Sequence, residues 1–466
     1  MSKILNVTNP EDNSLVGTME LTSEEELESM VDKAYAARRK WRDTPIRQRA
    51  DILNKFSELI STKYTKELAE LSTRELGKPI TQSYEECGEV ADIIKNTTER
   101  ALHLYGDVLT ESAPELENDL IYTKREPLGV VACITPFNFP MELTVHKIAP
   151  ALVMGNTVIV KAPSSNPLAV MKLGEILQEA GIPEDVAFFM NCDHEAYSKK
   201  ISKNPKVEAI CLTGSTDTGI GLAKDAAETL KTLLFELGGN DGLIVFDDAD
   251  FDQVLEEMFL GRIYNNGQVC CATKRLIVQN SIKDKLAEKL ADWTKEFNIA
   301  SAMDPDAIIT TLISEKDALM VEERIKKTIE QGAVCVCGGK REGARIIPTV
   351  LNNVTKDMDI AKNMEVFGPV IPIIGFDTED EAVEIINNTK YGLSSGIITA
   401  DLKRAYRVSN YIESGATVLN GTGHYRHYDQ AFGGFKSSGL GREGISVSVE
   451  EYSQLKTYVL KGVLGR

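Results

Sequence analysis

Apolar positions change their rhythm along this chain, and the change predicts its layout. In the first hundred residues they recur with helical spacing, and the segment reads as helices. Leu27, Met30, Val31 and Ala34 fall on one face of a predicted helix, with Ser23 and Glu26 at capping-box spacing before it. Leu53, Phe56, Ile60 and Tyr64 repeat the pattern. From about residue 130 the texture becomes short β-branched runs at 130–134, 157–161, 186–190, 209–213 and 232–236. Helix-compatible stretches such as 168–180 and 218–230 lie between them. Strand, helix, strand at this spacing predicts right-handed crossovers and a parallel sheet. No run alternates strictly, as expected of strands buried on both faces.

The residues after these runs are unusual. The first is followed by Thr135-Pro136-Phe137-Asn138-Phe139-Pro140, and the second leads into Lys161-Ala162-Pro163-Ser164. The fourth is followed by Gly214-Ser215-Thr216, and the fifth ends in Glu236-Leu237-Gly238-Gly239. All lie at carboxyl ends of predicted strands, where open α/β sheets bind ligands. After Gly239 a helical stretch (250–264) and strands at 243–246, 275–279, 333–337, 370–376 and 394–399 predict a second α/β region. No repeat, low-complexity tract or linker marks the boundary.

Composition narrows the classes. The 466 residues are 42% hydrophobic and 26% charged, an ordinary globular balance that predicts two or three domains. A net charge of −18 argues against a non-specific nucleic-acid binder or a basic membrane-surface protein. The N-terminus lacks a secretory apolar stretch, and the run 128–134 is far shorter than the roughly 20 residues of a membrane span. None of the eight cysteines sits at zinc-finger spacing, so reduced thiols in a cytoplasmic protein without a metal are expected.

Three polar residues stand out chemically. Cys270, in Gly267-Gln268-Val269-Cys270-Cys271, reads either as a small buried side chain or as a nucleophile awaiting a depressed pKa. Glu236 closes an apolar strand, a costly place for a carboxylate unless it is paired or works as a base. Asn138, between two phenylalanines, reads as an oxyanion donor or a helix cap. Gly214 and Gly219 lack the Lys-Ser/Thr of a phosphate-binding P-loop, which excludes that class, while Lys161 remains a cofactor-binding cation.

These segments resemble the NAD(P)-dependent aldehyde dehydrogenases over nearly the whole chain. The 135–140 loop matches the family's asparagine loop, 236–239 its general-base motif and 267–270 its nucleophile motif. Glu365-Val366-Phe367-Gly368-Pro369 and Phe432-Gly433-Gly434-Phe435-Lys436-Ser437-Ser438-Gly439 match two further signatures. The resemblance implies an α/β fold with a Rossmann-like cofactor domain (1–115 and 128–237), a catalytic domain (238–436) and a β oligomerisation arm (116–127 and 446–466). It implies that Cys270 attacks the aldehyde, that Asn138 holds the oxyanion and that Glu236 activates water. Thr135, Phe137, Lys161, Ser164, Gly214, Ser215, Leu237, Glu365 and Phe367 would bind NADP or NAD, and relatives assemble as dimers or tetramers.

Departures refine this. Ser164 stands where many NAD-preferring members carry Glu, so NADP acceptance is expected. Asn240-Asp241 and Ala431 replace a common Lys and Pro, which is similar to the short bacterial succinate-semialdehyde dehydrogenases. Arg426, in a stretch that reaches the substrate tunnel in relatives, reads as a ligand for an anionic aldehyde such as succinic semialdehyde or as a solvated loop arginine. Lactaldehyde, glyceraldehyde 3-phosphate oxidised without phosphorylation, and other small aldehydes are the alternatives. Glu236 argues against a CoA-acylating enzyme, and Cys270, Glu236 and Asn138 together argue against a non-catalytic relative.

Overall fold

The computed structural model describes residues 3–110 and 113–465. Residues 1, 2, 111, 112 and 466, at the margins of the expected cofactor-domain and arm ranges, lie outside the described residues. Two mostly parallel sheets form the centre. The first has six strands in the order Gly439–Leu440, Thr232–Glu236, Ala209–Thr213, Val130–Ile134, Thr157–Lys161 and Ala187–Met190, with only the Gly439–Leu440 edge antiparallel. The second has seven, in the order Val334–Cys337, Thr349–Val354, Val370–Phe376, Arg275–Gln279, Gly242–Val245, Ser394–Ile398 and Ala416–Leu419. Only Val334–Cys337 runs antiparallel there.

Successive strand residues serve opposite faces, as the period of two requires. Val131 and Cys133 pack with Leu53, Phe56 and Ile60, whereas Val130 and Ala132 pack with Leu27, Val31 and Ala34. Ser23 caps the helix Glu24–Asp43 with a complete capping box. Met30 is half-buried rather than fully buried.

The strand order creates a switch point. From Val130–Ile134 the chain steps outward through Thr157–Lys161 to Ala187–Met190, then returns to Ala209–Thr213 on the other side. The loops after Ile134 and Thr213 therefore open away from one another at the carboxyl edge, leaving the crevice in which such sheets bind ligands.

Three stretches depart from expectation. Ile4–Thr8 and Leu15–Glu20 form a hairpin within the segment read as helical. Its strands are short and largely exposed, so neither carries a strong apolar signature. Residues 446–451 belong to the helix Ile445–Glu451 rather than to a strand. Ile445, Ser448 and Val449 are buried at helical spacing there, despite an alternating sequence. Leu120–Pro127 pairs with Ser453–Leu460 and also with Val108–Leu109, so the three-stranded antiparallel sheet includes residues outside the expected arm ranges.

One buried ion pair fixes the helix that follows the Asn138 loop. Lys78 and Glu86 meet at 2.7 Å with both side chains inaccessible. The other Glu86 oxygen accepts the Met141 and Glu142 N–H groups at the start of Pro140–Val153. Removing one partner of a buried pair strands the other charge. Glu86→Ala is therefore expected to lose about 3–5 kcal/mol in urea unfolding at fixed protein concentration. Adding Lys78→Met should restore part of that loss, and a double variant no more stable than the single would contradict the assignment.

Candidate active site

A tight left-handed turn precedes Cys270. Asn265, Asn266 and Gly267 all lie in the left-handed region, with φ of 49°, 54° and 74°. Asparagine tolerates this conformation better than most side chains, and here its amides are also used. Asn265 donates through Nδ2 to the Asn138 carbonyl (3.0 Å), and its N–H donates to Gln82 Oε1 (2.9 Å). Asn266 exchanges two bonds of 2.8 Å with Thr310. A Cβ on Gly267 would sit 2.5 Å from the Gly368 carbonyl oxygen, so this position requires glycine.

Asn138 is buried, and its Nδ2 donates to the Gln268 carbonyl at 3.0 Å, two residues before the thiol. Cys270 is partly exposed and packs against the apolar cluster that contains Phe139, Leu393 and Phe432, as do Leu143 and Tyr264. A hydrogen bond from the Cys271 thiol, helped by the Lys274 and Arg426 charges, outweighs burial and brings Cys270 down to about 7. Both cysteines are free thiols.

Glu236 ends its strand almost wholly buried, with Oε2 lacking a hydrogen-bond partner. Burial, reinforced by the Glu443 charge, raises its carboxyl well above the usual range, although Arg426 and Lys147 oppose the rise. Cys270 lies within electrostatic reach of it. Gly433 makes the approach feasible, because a Cβ there would stand 2.9 Å from Glu236 Oε1.

The other expected residues line the two sheet edges. Thr135 donates through its backbone N–H and Oγ1 to the Lys161 carbonyl, both at 3.2 Å. Lys161 is half-buried, and among the described residues its ammonium hydrogen-bonds Asn191 Oδ1 at 3.4 Å and the exposed Ser164 Oγ at 3.5 Å. Gly214 donates to the Glu236 carbonyl at 3.0 Å, and Ser215 caps the helix Thr216–Ala227. That helix packs closely on buried Leu237, where a Cβ on Gly219 would lie 2.8 Å from Leu237 Cδ2. Phe137 and Phe367 face one another with ring centres 6.2 Å apart. Glu365 accepts from the Gly239 N–H (3.0 Å) and pairs with Lys274 (3.1 Å), whose ammonium also contacts the Cys270 carbonyl.

Arg426 is not a solvated loop arginine. Its guanidinium bonds Glu443 Oε1 at 2.8 Å and lies 3.9 Å over the Phe432 ring. Glu443 Oε2 meets Lys147 at 3.2 Å, so one buried carboxylate joins two cations beside Glu236. Sequence reading missed Lys147, Glu443 and Lys274. The available signal was a lysine in the middle of the largely buried helix Pro140–Val153. Among the described residues no group of His, Cys, Asp and Glu is arranged to hold a metal ion.

A thiol brought down toward neutrality, an amide donor and a buried carboxyl group near one another are the parts that covalent acyl chemistry needs. The family model described as "Aldehyde dehydrogenase family" matches residues 1–458. The chain belongs to the aldehyde dehydrogenase family. It is 34% identical to the lactaldehyde dehydrogenase of Methanococcus aeolicus, over 98% of this chain and 97% of that protein. It is 35% identical to the NADP(+) succinate-semialdehyde dehydrogenase GabD of Escherichia coli, over 97% of this chain and 93% of that one. The glyceraldehyde-3-phosphate dehydrogenase GapN of Methanocaldococcus jannaschii, solved with NADP, superposes with a TM-score of 0.94 at 33% identity, covering 99% of both chains.

For an aldehyde dehydrogenase with this charge arrangement, Cys270 alkylation by iodoacetamide is expected to rise through a midpoint near pH 7. An ordinary thiol titrates at about 8.5. Lys274→Met should move the midpoint upward. A rate still climbing above the ordinary thiol range in the unaltered protein would contradict the assignment.

Proposed function

We propose that this enzyme oxidises a small polar aldehyde to its carboxylate with NADP or NAD, using Cys270 as nucleophile, Asn138 as oxyanion donor and Glu236 as base. The observation that carries the reading is the orphaned, buried Glu236 carboxyl beside an acidified Cys270. Attack of the Cys270 thiolate on the carbonyl carbon gives a thiohemiacetal. Its negative oxygen is met by the Asn138 amide and the Cys270 backbone N–H, so charge develops where donors already stand. The dinucleotide, when bound, supplies the hydride acceptor that leaves a thioester on Cys270. Glu236 then takes a proton from water, which displaces the thiol and releases the acid. A carboxyl with a raised pKa is suited to that task near neutral pH.

Residues 1–115 and 128–237 are read as the cofactor-binding domain, 238–436 as the catalytic domain, and 116–127 with 446–466 as the arm. Lys161, Ser164, Gly214 and Ser215 would hold the adenosine and phosphate end, with Thr135, Phe137, Leu237, Glu365 and Phe367 around the nicotinamide end. The weakly partnered Lys161 ammonium fits an anionic or hydroxylated ligand group. Arg426 has guanidinium edges beyond the one bound to Glu443. These support an anionic aldehyde, with succinic semialdehyde the lead and lactaldehyde or glyceraldehyde 3-phosphate the alternatives. An exposed outer strand, Ser453–Leu460, bearing Leu455 and Val459, supports a homodimer or homotetramer. No helix among the described residues is long and apolar enough to cross a membrane, and a cytoplasmic location fits the reduced thiols.

Cofactor choice turns on Ser164. A hydroxyl beside Lys161 accepts a 2′-phosphate that a carboxylate would repel. The enzyme is expected to favour NADP in kcat/KM, and Ser164→Glu should shift the NAD/NADP ratio toward NAD by roughly ten-fold or more. Steady-state kinetics with both cofactors checks this. A strong NAD preference in the unaltered enzyme would overturn it.

A further inference from the structure

A cavity of about 690 Å³ opens where the turn between the helices Glu24–Asp43 and Ile46–Leu59 meets the three-stranded sheet. Small-molecule sites measure roughly 300–1,000 Å³. None of the residues in its walls has a task in the proposed oxidation or in holding the dinucleotide. Arg42 and Arg49 line the helical wall, and Lys124, Arg125 and Lys456 line the sheet. Asp43 and Glu126 are the carboxylates there, so the cavity is locally cationic in a chain of net charge −18. The walls stand close enough for Arg42 to feel Glu126 and for Asp43 to feel Lys124. Two of the cations are already committed, Arg42 to Asp43 at 2.9 Å and Arg125 to Glu450 at 3.0 Å.

The other three are placed at a cost. Arg49 is 7% exposed, yet among the described residues no carboxylate pairs with it. Its Nε donates to the Val153 carbonyl at 2.8 Å, and Nη1 serves the carbonyls of Trp41, Arg42 and Thr44. These bonds hold the turn between the two helices. They leave the N–H groups of Nη2 without a protein acceptor among the described residues. Burial brings the guanidinium down to about 10, so it stays charged near pH 7. A buried charge without a counter-ion is expensive, and a bound anion offsets that expense. On the opposite wall, Lys124 and Lys456 are direct cross-strand partners, with Tyr122 and Tyr458 the next pair on the same face. Like charges directly opposed across strands are unfavourable. Glu126 reaches Lys124 at 3.2 Å and accepts from the Tyr458 hydroxyl at 3.3 Å. Lys456 has no ion-pair partner among the described residues and lies 5.1 Å over the Tyr458 ring.

Cations on two facing walls suit a tetrahedral group whose oxygens point both ways. A planar carboxylate sets its two oxygens along one edge and serves one wall. Guanidinium and ammonium groups both bind phosphoryl oxygens, the first through paired N–H groups and the second as a point charge. We propose that this cavity binds a phosphorylated small molecule, with Arg49 on the helical wall and Lys124 and Lys456 on the sheet holding its phosphoryl oxygens. The inference goes beyond the oxidation reading and does not depend on it. Such a ligand ties the sheet to the helices, so its binding stabilises the folded chain.

Isothermal titration calorimetry of the full chain with inorganic pyrophosphate tests the site. One pyrophosphate is expected per chain, bound more weakly as salt is raised. The paired variant Lys124→Gln/Lys456→Gln should weaken binding by roughly ten-fold or more. Lys161→Ala, in the dinucleotide crevice, should leave the affinity unchanged. Thermal unfolding supplies a second readout. Without pyrophosphate the paired variant should melt no lower than the unaltered protein, because the opposed lysines are gone. With pyrophosphate only the unaltered protein should gain in Tm. No heat at millimolar pyrophosphate, or an affinity unchanged in the paired variant, overturns the site. Binding lost in Lys161→Ala instead assigns the anion to the dinucleotide crevice and overturns it as well. Tighter binding of citrate than of pyrophosphate overturns the phosphoryl assignment.

Discussion

The site depends on a strained turn held by side-chain amides. Two consecutive asparagines and a glycine in left-handed backbone just before Cys270 put the following residues where an extended chain would not. Each non-glycine residue in such a conformation costs on the order of 1–3 kcal/mol. The bonds from Asn265 to Asn138 and Gln82, and between Asn266 and Thr310, are of comparable total worth at about 1 kcal/mol each. The same bonds tie the turn to the loop that carries Asn138. The strain and the alignment of the two loops thus have one origin, and the Asn138 amide and the Cys270 thiol cannot move independently.

Charge placement follows from that alignment. The proposed roles of Cys270, which would ionise, and Glu236, which would accept a proton, make opposite demands on the buried space they share. Glu443 reconciles them. Burial alone would raise it, but Lys147, His146 and Arg426 hold it down at about 2. It therefore stays ionised and keeps two cations in place. Arg426 extends a positive field toward Cys270, while burial and the Glu443 charge keep the Glu236 proton affinity high. Arg426 consequently serves the electrostatics of the thiol whether or not a substrate anion reaches it.

Much of this was legible in the sequence where burial is two-sided. The strands Val130–Ile134, Thr157–Lys161, Ala209–Thr213, Thr232–Glu236, Arg275–Gln279 and Val370–Phe376 occupy the predicted ranges. Parallel strands covered on both faces leave uninterrupted apolar runs, a signal that needs no partner to be read. The N-terminal hairpin escaped because its strands are mostly exposed, and Ile445–Glu451 escaped because packing overrides its alternating pattern. Site residues were visible where they sit in loops of rare composition. Glu443 was not, because its partner Lys147 lies 296 positions away and nothing in the sequence links the two.

The central claim is that Cys270 carries the acyl group and Glu236 releases it. Intact-protein and peptide mass spectrometry of Glu236→Gln, mixed with excess lactaldehyde or succinic semialdehyde and NADP, tests this most directly. The account predicts a stoichiometric burst of reduced cofactor followed by slow turnover, with the added acyl mass on the peptide containing Cys270. Sustained turnover at the unaltered rate with no adduct on Cys270 would contradict it.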